Sequence, residues 1–170
     1  MVILFKLCTY SDRLKTNQGR PFFVKSMYDL VLCCLNSILS QMVSTDKIVF
    51  FFDGNDIEND VKTLCDYYKV KYEIYSYNYK SAAKIHEETI NYILSLDDNE
   101  LIYLCEDDYL HFSNALFKIK EFLIKYPMHF CHSIDYPNLY EFDTRFVYNS
   151  SIILSNTHHW RSIKSTTYTV

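Results

Sequence analysis

Along the chain, short apolar runs alternate with longer amphipathic stretches. Val2 to Cys8 is the first apolar run, followed by the polar loop Thr9-Tyr10-Ser11-Asp12-Arg13. Apolar residues then recur at Met27, Leu30, Val31, Cys34, Leu35, Ile38, Leu39 and Met42, the spacing of one buried helical face, with Ser26 as its N-cap. Lys47-Ile-Val-Phe-Phe-Phe52 is a second buried strand, closed by Asp53-Gly54-Asn55. Ile57, Val61, Leu64, Cys65 and Tyr68 mark a second helix beginning just after Asp56. Tyr72 to Tyr77 is a third strand, weaker because both faces carry aromatics. Ser81 caps a helix running to about Leu96, with Ala83, His86, Ile90, Ile93 and Leu94 expected on its packed side. Leu101 to Cys105 has the pattern of a strand buried on both faces of a parallel sheet. Ser113 or Asn114 opens a fourth helix carrying Leu116, Ile119, Phe122 and Leu123, and Pro127 closes it.

Strands alternating with helices call for an α/β fold, a mostly parallel sheet flanked by helices and built with right-handed crossovers. From His129 the alternation stops. His129 to Ile134 and Phe146 to Leu154 read as strands joined by a polar, aromatic loop, a mixed β segment. The 170 residues are most simply one domain, with an α/β half to about residue 125 and a β segment from about 126.

Composition narrows the function classes. Sixteen Tyr and twelve Phe beside two Gly and three Pro argue against a disordered or linker-rich chain. Gly19 and Gly54 stand alone, so neither the dinucleotide nor the P-loop fingerprint is present, and any phosphate must be held by a metal and side chains. A net charge of −4 without a basic cluster speaks against a nucleic-acid partner. No apolar stretch approaches the length of a membrane span, and Met1 to Lys6 reads as a strand, not a secretory signal. The six cysteines lie mostly inside apolar runs and form no Cys-x-x-Cys pair, which points to reduced thiols and a cytoplasmic setting.

The stretch that carries chemistry is Leu101-Ile-Tyr-Leu-Cys-Glu-Asp-Asp-Tyr-Leu-His111, where an apolar strand breaks into Glu106, Asp107 and Asp108. Adjacent carboxylates repel one another, a bound divalent cation removes that repulsion, and oxygen ligands suit Mg²⁺ or Mn²⁺. In open α/β sheets the ligand crevice lies at the carboxyl ends of the strands, where this cluster falls. The alternative is a solvated acidic loop that ends a strand; the buried strand before it and the helix signal after it favour the metal.

Glu106-Asp107-Asp108-Tyr109 at the end of a hydrophobic strand resembles the Asp-x-Asp metal-binding element of glycosyltransferases with the GT-A fold. More specifically it resembles the Glu-Asp-Asp-Tyr form of small family-2-like enzymes, including some of large DNA viruses. Asp135-Tyr-Pro-Asn-Leu-Tyr140 and Ser165-Thr-Thr-Tyr-Thr169 resemble further patterns of such sequences, and the likeness covers most of the chain in the order of its elements. The resemblance implies a metal-dependent glycosyltransferase with Mn²⁺ or Mg²⁺, a UDP-sugar donor and a glycan or other sugar acceptor. It implies Asp108 as direct metal ligand, Asp107 as a second or water-mediated ligand, and Glu106 nearer the ribose. Such enzymes usually continue further, so the acceptor side is expected to be cut short.

Around that element, Tyr10 is placed to stack on a base and Thr9 to hydrogen-bond it. The resemblance assigns Asp53 to the uracil ring nitrogen; a turn residue is the equal alternative, since Asp-Gly is a common turn pair. Arg13 and Lys84 are the cations best placed for base or phosphate contact, although a helix Lys is ordinarily a solvated surface residue. Asp135 is the nearest candidate for the general base of an inverting transfer, with Glu141 and Asp143 behind it. Tyr136, Tyr140 and Trp160 are candidate sugar-stacking rings. His158-His159-Trp160 offers at most one further metal ligand, because strand neighbours face opposite ways. Two rival functions remain, a non-catalytic nucleotide-sugar or glycan-binding module of the same fold and a nucleotidyltransferase; the latter lacks its phosphate-cradling glycine-rich loop.

Overall fold

The computed structural model describes residues 1–8, 26–54, 57–127, 131 and 152–161. In these, the periodicities become β1 (Val2–Cys8), α1 (Met27–Leu39), β2 (Lys47–Asp53), α2 (Glu58–Tyr68), β3 (Lys71–Tyr77), α3 (Ala82–Leu94), β4 (Ile102–Glu106), α4 (Ala115–Lys125), β5 (Ile152–Leu154) and β6 (His159–Arg161). The chain divides into two compact units, Met1–Ser113 and Asn114–Val170.

The first unit holds a sheet ordered β3-β2-β1-β4, parallel throughout. Two serines start its helices as their types favour. Ser26 Oγ accepts from the Asp29 amide at 3.2 Å, and Ser81 Oγ accepts from the Lys84 amide at 3.4 Å. α2 ends where Lys69 turns left-handed at φ 54°, a common helix stop. In-register pairing sets two faces. One carries Val2, Leu4, Val49 and Phe51, packed with Ile85 of α3 and with Tyr92, Ile93, Ile102 and Leu104 around them. The other carries Ile3, Phe5, Leu7, Ile48, Phe50 and Phe52, all buried, with the Phe5 and Phe50 rings 5.7 Å apart. α1 belongs to this second face, since buried Cys34 lies close enough to Cys105 of β4 to act on its thiol.

Two expectations are corrected. α3 packs through Ile85 and Thr89, with Tyr92, Ile93 and Leu96, whereas Ala83 is exposed and Leu94 is 78% exposed. The reason is Thr89, whose hydroxyl donates to the Ile85 carbonyl at 2.8 Å and so enters the core satisfied. The expected side took in His86 and Ile90 and left out both Ile85 and Thr89. β4 is also less buried than its apolar run suggests, for it lies at the edge of the described sheet and only Cys105 is fully buried.

In the second unit α4 begins at Asn114, which adopts φ 66° and makes no side-chain cap bond. Phe122 of α4 lies 4.5 Å from Trp160, and the Tyr126 hydroxyl donates to the Leu154 carbonyl at 2.8 Å. β5 and β6 form an antiparallel pair. Most of the expected strand His129 to Ile134, and residues 146–151 of the next, lie outside the described residues. Among the described residues no helix is long and apolar enough to cross a membrane.

Candidate functional site at the carboxyl edge of the sheet

The strand order contains a switch point. From β1 the chain steps outward to β2 and β3, and β4 then pairs on the opposite side of β1. The crevice of an open α/β sheet lies at such a reversal, beyond the carboxyl ends of the two strands. Here those ends are Cys8 of β1 and Glu106 of β4, and the Asp107–Asp108 turn follows immediately.

The carboxylates are not equivalent. Lys6 and Glu106 are register partners, and the Lys6 ammonium sits 3.2 Å from Glu106 Oε1. Part of the repulsion among these carboxylates is therefore relieved by a lysine one strand away. Asp107 is 4% exposed, while Asp108 is exposed in the turn. Among the described residues, no three His, Cys, Asp or Glu side chains form a group able to hold a metal ion. Asp107 and Asp108 as neighbouring oxygen donors still suit a cation of the Mg²⁺ kind. Such an ion is commonly bound through one or two carboxylates, with substrate phosphates and water completing its shell.

The segment after the turn folds back on β4. The Tyr103 hydroxyl and His111 Nε2 are hydrogen-bonded at 2.7 Å, with the rings edge-on at 5.6 Å. The His111 amide donates to Ser37 Oγ of α1 at 3.0 Å, and that hydroxyl donates to the Cys34 carbonyl at 2.7 Å. Burial pushes the His111 pKa down, partly offset by the Tyr109 carbonyl. Cys105 Sγ lies 3.9 Å from His111 Nε2, a spacing that invites a Cys–His nucleophile. Two facts argue otherwise. The thiol donates to the Glu106 carbonyl at 3.3 Å, and burial together with Cys34 and the nearby carboxylates holds it well above the ordinary thiol range. A reactive cysteine needs the opposite environment.

Asp53 is wholly buried at the end of β2, where Oδ1 accepts from the Lys80 amide at 2.9 Å and Oδ2 from the Ser81 amide at 2.7 Å. It thus anchors the entry to α3 and holds Lys80 at φ 51°. Lys84 is exposed on α3 with Nζ 5.2 Å from the centre of the Tyr79 ring. Trp160, expected as a sugar platform, has its ring packed on Phe122. His158 is exposed and its Nδ1 lies 2.9 Å from Thr157 Oγ1. Thr9, Tyr10, Arg13 and Asp135 lie outside the described residues, as do Tyr136, Tyr140, Glu141 and Asp143.

Lys6, Ser37 and Tyr103 escaped the reading of the sequence. For Lys6 a signal existed, since a lysine inside an otherwise apolar strand must find a partner or stay solvated. Ser37 and Tyr103 carried none, their roles depending on where β4 meets α1. Compared with protein-family models, curated proteins and solved structures, the chain matches none.

Proposed function

We propose that this chain binds a UDP-sugar through Mn²⁺ or Mg²⁺ at Asp107 and Asp108 and transfers the sugar to a hydroxyl of a glycan acceptor. The observation that carries the reading is the acidic turn at the switch point between β1 and β4. Gly-rich phosphate loops are absent from the sequence, so a cation is the simplest way for this edge to hold a diphosphate. When bound, the cation would act as a Lewis acid and template, stabilising charge on the departing nucleoside diphosphate. Asp108 reaches solvent and is the ligand a nucleotide-borne ion meets first. Asp107 supports it from a buried position, and Lys6 keeps Glu106 from adding a third full negative charge. The parallel sheet would be the nucleotide half of a GT-A-like fold, with Asp135 as the base that takes the acceptor proton.

The test is thermal unfolding with UDP in the presence of Mn²⁺ or of excess EDTA. Ligand that binds only the folded state adds stability by mass action, about 2.7 kcal/mol at a hundredfold excess over Kd. The expected outcome is a rise in Tm that requires the metal and is lost in Asp108→Asn. Equal stabilisation by UDP in EDTA would remove the cation from the site. Release of UDP from a UDP-sugar, not pyrophosphate, distinguishes a transferase from a nucleotidyltransferase, and release of neither leaves a binding module.

A further inference from the structure

We propose that His111 is a positioning residue for the acidic turn, holding Asp107 and Asp108 in the arrangement that a nucleotide-bound cation needs. This rests on the reading of those carboxylates as the metal site. The turn is tied at both ends. At its start Glu106 is paired with Lys6 of β1 across the sheet. At its other end His111 is tied twice, through its ring to Tyr103 of β4 at 2.7 Å and through its backbone amide to Ser37 of α1 at 3.0 Å. Only Asp107, Asp108, Tyr109 and Leu110 lie between the two ties, so their backbone has little freedom left to lose when a ligand arrives. Leu110 and Phe112 on either side of His111 are 51% and 84% exposed, so apolar burial of the neighbours is not what holds the segment down. The polar bonds to His111 contribute to holding it there.

Groups that orient metal ligands without touching the metal typically change its affinity by about 10- to 100-fold when removed. The test is isothermal titration of the full chain with UDP in saturating Mn²⁺, far below the Tm of every variant, with the Tm recorded in parallel. His111→Ala should weaken UDP binding at least about tenfold. His111→Gln, whose amide can still pair with the Tyr103 hydroxyl, should recover most of that loss. Tyr103→Phe should weaken binding on its own and add little to His111→Ala, because both remove one bond. Wild-type affinity in His111→Ala overturns the proposal while leaving the metal site standing. Equal losses in His111→Ala and His111→Gln that follow the Tm also overturn it, for that pattern marks a merely structural residue. Failure of the wild type to bind UDP with Mn²⁺ overturns the metal site itself, and the role of His111 with it.

Discussion

Replacing Asp53 by Ala should cost folding stability more than it costs nucleotide recognition. The carboxylate is fully buried and accepts the Lys80 and Ser81 amides at 2.9 and 2.7 Å. A hydrogen bond to a charged group contributes about 1.5–3 kcal/mol, which brackets the pair at about 3–6 kcal/mol. Lys80 is exposed and Ser81 half-buried, so water can take up part of what the amides lose, and the lower end applies. Lys80 also sits at φ 51°, a conformation that only surrounding bonds make worthwhile for a residue with a Cβ. The expected loss is therefore about 3 kcal/mol. For a chain of this size each kcal/mol moves Tm by about 2–4 °C, a fall of roughly 6–12 °C. Asp53→Asn keeps one acceptor oxygen and should fall between the wild type and Ala. Urea unfolding of the three proteins measures the difference. A loss below about 1 kcal/mol in Asp53→Ala would refute the anchoring role. If that variant instead kept its stability and lost its preference for UDP over GDP, Asp53 would face the base.

Two further outcomes follow from burial. His111 has its pKa pushed down by desolvation, so below the ordinary value of about 6.5 the unfolded chain takes up a proton before the folded one does. Stability should fall relative to His111→Gln as pH drops from about 6.5 to 5.5, and not between 8 and 7, as urea midpoints at those pH values would show. Among Cys33, Cys34, Cys65 and Cys105, only exposed Cys33 should react quickly with a thiol reagent under native conditions, because burial pushes Cys65 up to about 12 and Cys105 well above its ordinary value. Mass spectrometry of the labelled peptides checks this, and early labelling of Cys105 would contradict its burial.

What could be read from the residues in order was local. The 3-1-3 spacing from Met27 to Leu39, the run Lys47 to Phe52 and the caps Ser26 and Ser81 each depend on neighbours a few positions away, and each appears in the fold. Alternation of strand and helix was enough to call a parallel sheet, since parallel neighbours require a crossover. The acidic break after Cys105 was equally legible, because an apolar strand ending in carboxylates stands out without any structure. Which residues meet across the sheet was not legible. Lys6 and Glu106 are 100 positions apart, and they pair only because β4 returns to the open side of β1. The face that α3 buries includes a threonine satisfied by its own helix, to which hydrophobic spacing gives no weight, and Ile85, whose side is decided by the strands it meets. His111 stood in the motif without a role until β4 and α1 came together around it. Periodicity encodes which side of an element is apolar; which partner that side finds is decided by non-local packing, where the entropy of closing long loops is repaid by burial only once the whole sheet has formed.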